Sequence, residues 1–392
     1  MGQITLADVQ AVLDARYPPG TAANWDAVGL VTGDPGQPVR HIRFAVDPVL
    51  RVAERAIADG VDLLVTHHPL LLRPVNAVPT SDPRGRVLHR LLRAGVGLLV
   101  AHTNADVARP GVSDALAAAI GLPTGPGLAA LDPLSAPELD VLAVTVPVEH
   151  APALREALAA AGAGAVGAYT RASFSASGTG RFQPGSSANP VIGSRGQLAE
   201  VAEERIEVVI GPGRRAGVLA AMHAAHPYEQ IAFDVHRTLG PADGTGLGRI
   251  GELPAALPLS MLVETVVAGL PATAAGLRIA GDPDRLVRRV AVSGGAGDSL
   301  LSATAAAGAD VFLTADLRHH PASGFRQPTS PPRQRPALIE ATHWASEWPW
   351  LPAAARLLRA DLGALPGPVA AGLPVIDVCD LVTDAWTATA GR

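Results

Sequence analysis

"LLVTHHPLLL", residues 63–72, places two histidines side by side at the end of an apolar run. Neighbouring side chains of a strand point to opposite faces, so His67 and His68 cannot share a site while the strand continues. Pro69 follows at once. It removes a backbone donor and biases His68 towards extended geometry, so the strand is expected to end at the pair. Once the backbone turns, both imidazoles can face one crevice. The plainer reading is one buried and one exposed histidine, and the surrounding chain has to decide.

Outward from that stretch, residues 4–16 have helical spacing, "RHIRFAVD" (40–47) reads as a strand and "PVLRVAERAIADG" (48–60) as a helix closed by Gly60. On the other side come a helix, "RGRVLHRLLRAG" (84–95), a strand, "VGLLVAHT" (96–103), and a helix, "GVSDALAAAIGL" (111–122). This alternation predicts an α/β domain with a largely parallel sheet, whose sites lie at the carboxyl ends of the strands. Both His67–His68 and "AHTNAD" (101–106) fall on that edge. "GLPTGPGLAALDPLSAP" (121–137) is rich in Gly and Pro and reads as a linker. Beyond it, "LDVLAVTVP", a helix from about Glu149 to Ala161 and strands near 205–210 and 230–238 suggest a smaller α+β unit closing near 240–254. Alternation then resumes. "LVRRVAVSGG", "ADVFLTAD", "ALIEA" and "PVIDVCDLV" read as strands, with helices at "DSLLSATAAAG" and from about His343. The expected organisation is a discontinuous α/β domain with a mixed, largely parallel sheet, residues 1–127 and 251–392. An inserted α+β domain at 128–250 interrupts it.

Composition narrows the chemistry. With 392 residues, 48% of them apolar, the chain can bury real cores. The absence of an 18-residue apolar run, and of an apolar signal centre near Asp8 and Asp14, points to a soluble cytoplasmic protein with no membrane partner. A net charge of −5 gives no footprint for nucleic acid. Cys379 is the only cysteine, which excludes internal disulfides, thiolate zinc sites and cysteine-ligated clusters. There is no lysine: all 31 cationic side chains are arginine, which excludes a Walker A loop and lysine catalysis. Histidine, carboxylate and metal remain.

Three further places carry suitable ligand types. His102 and Asp106 sit just beyond the strand "VGLLVAHT"; Asp316, His319 and His320 end "ADVFLTAD"; His343 and Glu347 lie one helical turn apart in "THWASEW". Imidazole with carboxylate suits Zn, Fe, Mn, Co or Ni. Singly each has a mundane account: a turn cap, loop residues, a solvated helix face. "SGGAGD" (293–298) is either a tight turn needing Gly or an anion-holding turn at a helix start. "HPYE" (226–229) reads as a strand-edge or subunit contact. His41, His89, His150, His223 and His236 show no partner pattern.

"VTHHPLL", "AHTNAD-x-ARPGVSDALA", "TADLRHH", "ATHWASE" and "NWDAVGLVTGD" (24–34) together resemble the NGG-interacting-factor-like family, labelled GTP cyclohydrolase I type 2 homologues. "RFQPGSSANPVIGSRGQLAEVAEERIE" (181–207), "AHPYEQIAFDV" (225–235) and "GLGRIGEL" (246–253) resemble the signal-transduction-protein-like domain inserted in longer members. The resemblance covers nearly the whole chain in one order. It implies two divalent ions per chain, held by His67, His68, Asp106, His343 and Glu347, with the glutamate bridging. His102, Asp316 and His320 would orient ligands or touch substrate. Members usually carry Gly where this chain has Ala315 and Thr342, which puts the backbone near Asp316 and His343 in question. The resemblance also implies a homohexamer, a trimer of dimers. Trp344, Trp348 and Trp350 crowd the His343 helix, either as a subunit contact or as packing within the protomer. The Pro-rich loop 326–336 reads as a lid, a subunit contact or a surface loop.

Two functions compete. One is a dinuclear metal-dependent hydrolase of a small nucleotide-like or heterocyclic molecule, for which the family label suggests GTP ring opening. The other is a non-catalytic metal-binding or regulatory oligomer whose insert senses a ligand or docks a partner.

Overall fold

A computed structural model of the chain describes residues 3–134, 138–167, 169–239, 244–327, 335–365 and 372–390. The chain divides into two compact units, Met1–Leu134 with Gly244–Arg392, and Ser135–Asp243.

The larger unit begins with α1 (Leu6–Arg16), started by a Thr5–Asp8 capping box. Strands β1 (Gly29–Thr32) and β2 (His41–Ala45) follow, then α2 (Leu50–Ala58), β3 (Leu63–Thr66), α3 (Pro83–Ala94) and β4 (Gly97–Val100). Asp82 caps α3 ahead of Pro83, and Gly95 ends it at φ 70°, so both boundaries are written in the sequence. The short α4 (Thr103–Val107), then α5 (Val112–Ala119) and β5 (Ala129–Pro133) complete this half.

The smaller unit contains β6 (Glu138–Pro147), α6 (Ala151–Ala160), β7 (Phe174–Phe182), β8 (Ala199–Ile210), α7 (Arg215–Ala225) and β9 (Phe233–Leu239). Its antiparallel sheet has the order β7-β8-β6-β9, the arrangement of a split βαβ fold. Leu142, Val144 and Val146 alternate with outward residues on β6, as Ile206, Val208 and Ile210 do on β8. These apolar faces pack with Leu154, Leu158, Val218 and Met222 of the helices.

The chain returns to the larger unit with β10 (Gly246–Pro258), α8 (Leu259–Gly269), β11 (Arg278–Ala280), β12 (Leu286–Ala296) and α9 (Leu301–Ala306). It ends with β13 (Val311–Ala315), α10 (His319–Arg326), β14 (Ala337–Ala341), α11 (His343–Glu347), α12 (Trp350–Gly363) and β15 (Val375–Val378).

The fold is mixed α/β, and its larger unit divides the strands between two sheets. One runs β1-β4-β3-β2-β15, parallel except for β1; the other runs β11-β14-β13-β12-β10-β5, parallel only across β12, β13 and β14. The parallel strands Leu63–Thr66, Gly97–Val100 and Val311–Ala315 are buried along their whole length, so they read as apolar runs without alternation.

One expectation fails locally. The segment 121–137 is not all linker, because Ala129–Pro133 is β5; the smaller unit ends at Asp243, within 240–254, and there Gly246 opens the 13-residue β10. Glycine hides that strand. A Cβ on Gly246 would lie 2.4 Å from the Asp132 carbonyl oxygen of β5, and Gly248 has φ 63°, so the pairing needs residues of poor strand propensity. Residues 328–334 of the Pro-rich loop lie outside the described residues. Trp344 and Trp350 are buried within the protomer, Trp350 against Tyr17 and Phe44, so packing inside the chain accounts for them.

Arg249 of β10 is fully buried and forms an ion pair with Asp114 of α5 at 2.8 Å. It also donates to the Gly246, Gly248 and Ala108 carbonyls. Arg249→Ala would leave Asp114 with only the Gly111 N–H and would take this donor from three carbonyls. It should cost about 3–5 kcal/mol, read from the urea unfolding midpoint of the full chain. A loss below about 1 kcal/mol would show that water replaces the guanidinium without penalty.

Candidate functional site

Both sheets of the larger unit end at one place. From the first, His67 and His68 follow β3, while His102 precedes α4 and Asp106 lies within it. From the second, Asp316 follows β13, and α11, which begins two residues after β14, carries His343 and Glu347. Glu347 is almost completely buried at their centre. Its Oε1 lies 2.9 Å from His343 Nε2 and 3.4 Å from His67 Nε2, and its Oε2 lies 3.1 Å from His68 Nε2. Asp106 Oδ1 stands 3.6 Å from His67 Nε2.

The histidines share one orientation. His67 Nδ1–H donates to the Ala101 carbonyl at 2.9 Å, which fixes its tautomer and leaves Nε2 as an inward lone pair. The Nδ1 atoms of His68, His102 and His343 bond Asp47, Asp26 and Asp316 at 2.7, 2.8 and 2.7 Å. Each carboxylate accepts from its ring and holds it in place. The Nε2 atoms of His68 and His343 consequently face each other at 3.2 Å, a distance that needs a shared proton or a cation between acceptors. His67 Nε2 and Glu347 Oε2 are buried without a hydrogen-bond partner; the approach of Oε2 to His68 is close but misaligned. Native proteins rarely leave such atoms orphaned. Two groups, His67–His68–His102 and His68–His343–Glu347, bring one ligand atom per residue to within 4.8 Å of one another, and each can hold a metal ion. The donor set suits borderline divalent ions rather than Ca.

The electrostatics agree. For the metal-free cluster, burial pushes Glu347 up, but three facing histidines overcome it and hold the carboxyl well below its usual range. Burial likewise opposes charge on His68 and His343, yet Glu347 and the outer carboxylates raise them to about 10 and about 11. His67 is raised by Glu347 and Asp106 against its burial. Burial lifts Asp106 to about 6. His102 goes the other way, to about 4, through burial and the neighbouring His67 charge.

The structure thus brings together His67, His68, Asp106, His343 and Glu347, and sets Asp316 against His343. His102 stands beside His67 and His68, nearer the centre than an orienting role requires. His320 does not arrive: it is exposed in the first turn of α10, its ring against His319 alone. Asp26 and Asp47 were missed by sequence reasoning. Asp26 sits inside a quoted motif and Asp47 ends a quoted strand, but neither signals that it faces a histidine. Ala315 and Thr342 are both accommodated. Asp316 itself takes the left-handed conformation, φ 50°, which aspartate tolerates, and the Thr342 hydroxyl accepts from Ala345 N–H as the cap of α11. "HPYE" works inside the smaller unit. His226 bonds the Thr145 carbonyl at 2.8 Å, and Tyr228 donates to Glu203 at 2.8 Å.

"SGGAGD" proves to be a close approach of backbone. A Cβ on Gly295, at φ 69°, would lie 2.6 Å from Glu347 Oε1 and 3.3 Å from His343 Nε2, and Gly295 N–H donates to Ser346 Oγ at 2.9 Å. Gly295→Ala should weaken divalent-metal uptake by roughly 10–100-fold while leaving far-UV circular dichroism unchanged. Uptake equal to the parent would show that the glycine does not shape the carboxylate.

The Duf34/NIF3 (NGG1p interacting factor 3) family model matches residues 4–367. A Mycobacterium tuberculosis protein named GTP cyclohydrolase 1 type 2 homolog is 50% identical over 384 residues, 98% of this chain and 97% of its own length. One from Streptomyces coelicolor with the same name is 36% identical, covering 98% and 94%. Among solved structures, a Bacillus cereus protein related to NIF3 superposes with a TM-score of 0.72 at 32% identity, covering 99% of this chain and all of that one. A Staphylococcus aureus protein, at TM-score 0.80 and 23% identity, shows the same fold. The chain belongs to the Duf34/NIF3 family.

Proposed function

We propose that this protein holds two divalent ions through His67, His68, Asp106, His343 and Glu347, with Glu347 shared between them, and hydrolyses a small nucleotide-like or heterocyclic molecule. The observation that carries this reading is the pair of orphaned acceptors, His67 Nε2 and Glu347 Oε2, inside a ring of lone pairs. Zn, Fe, Mn, Co and Ni all suit the ligands. Two such ions about 3.5–4 Å apart would supply a Lewis acid and a water acidic enough to ionise near neutral pH. The protein's own part is orientation. Asp26, Asp47 and Asp316 fix three rings, Ala101 fixes the fourth, and Gly295 lets the backbone pass Glu347. Relatives named GTP cyclohydrolase 1 type 2 homolog support a nucleotide-like substrate, and a cavity of about 860 Å³ beside His68 and His343 is of small-molecule size.

A second reading, a non-catalytic regulator, draws support from a separate cavity of about 740 Å³ in the smaller unit, lined by Phe182, Glu203 and Tyr228 among others. Turnover of a nucleotide panel by metal-loaded protein favours the first reading, and binding without turnover the second. Among the described residues no helix is long and apolar enough to cross a membrane. A hexamer of three dimers belongs to the proposal, and light scattering at micromolar concentration tests it.

Elemental analysis should find about two divalent ions per chain, and His68→Ala or Glu347→Ala should abolish uptake without unfolding. Parent-like uptake by either variant would overturn the ligand set. Because His68 and His343 keep their protons to about pH 10 and 11 without metal, loading at pH 7 must displace protons. Calorimetry in buffers of different ionisation enthalpy should record that release, and affinity should rise with pH. Metal binding with no proton release would show that both rings are already neutral in the metal-free protein.

A further inference from the structure

The cavity beside His68 and His343 has a wall supplied by the chain's end. After β15 the tail runs along it, and Thr383, Asp384, Trp386 and Thr389 line the same space as Asp47, Asp316 and His343. The tail is anchored on both sides of the tryptophan: Arg51 donates to the Val382 carbonyl, Thr383 to Asp47, and Thr389 to the Ala274 carbonyl. Between these anchors Trp386 stays 68% exposed. An indole is a large apolar surface that folding ordinarily covers, and here the backbone holds it in a cavity instead. The family match ends at residue 367, so this wall lies outside it.

We infer that Trp386 is a stacking platform for a planar heteroaromatic ligand of nucleobase or nucleoside type, an inference that rests on the cluster beside it being the proposed metal site. Indole faces stack on aromatic rings without regard to ring substituents, which matches a flat heterocycle. The indole and the cluster line the same cavity, so a ring stacked on Trp386 would lie in the space that His68, Asp316 and His343 also face.

The test is titration calorimetry of the full-length protein with guanosine and with ribose, with metal content measured on the same samples. Guanosine should bind saturably and ribose should not. Trp386→Ala should weaken guanosine by on the order of tenfold, Trp386→Phe should retain most of the affinity, and metal content should be equal in all three proteins. Undiminished binding by Trp386→Ala, equal binding of ribose, or no saturable binding by the parent would each overturn the inference. Guanosine binding that depends on Trp386 in a protein that takes up no metal would leave this inference standing and sink the metal reading instead.

Discussion

Glu347 is a carboxylate with almost no exposure, and the site is built around the need to balance it. Removing such a charge from water costs several kcal/mol unless opposite charge stays with it. His67, His68 and His343 meet that need, with Nε2 atoms 2.9–3.4 Å from its oxygens. On the far side of the rings the Nδ1 atoms of His68 and His343 are held by Asp47 and Asp316, and that of His67 by the Ala101 carbonyl, so imidazole is sandwiched between inner and outer negative groups. Such an arrangement must hold cations. Protons serve when nothing else is bound, which is why His68 and His343 are driven to about 10 and 11. Divalent ions would do so with better geometry, since they accept several lone pairs at once.

That requirement also explains the discontinuous larger unit. His68 and His343 are 275 positions apart, and each leaves the carboxyl end of a parallel strand in a different sheet. Neither sheet alone has both halves of the ligand set. The helices α5, α11 and α12 pack where the sheets approach, and Trp350 lies 5.3 Å from the His67 ring with Phe44 and Tyr17 around it. A rigid aromatic core directly behind a ligand is what holds a ring to a fixed angle.

The residues that converge on Glu347 were legible in the sequence because each is local: a histidine pair stopped by proline, a histidine four residues ahead of an aspartate, a histidine and a glutamate one helical turn apart. Their orienting partners were not. Asp47 is 21 residues from His68 and Asp26 is 76 from His102, and such pairs exist only once strands are in register. The doublet His319–His320 looked as promising as His67–His68. Pro321 follows it just as Pro69 follows His68, but β13 has already ended at Ala315, so the pair enters a helix whose first turn stays in solvent. Glycine was ambiguous in both places: in β10 it concealed a strand, and at Gly295, where a tight turn and an anion loop both fitted, it makes room for a carboxylate.

The cluster and the cavity wall come from different parts of the chain. Every residue around Glu347 lies within the stretch matched by the family model, 4–367, whereas Trp386 lies beyond it. Asp47 joins the two, since it accepts from His68 and from Thr383, so the seating of the tail and the angle of a ligand ring share one carboxylate. Displacing the tail would thus free one oxygen of the carboxylate that orients His68.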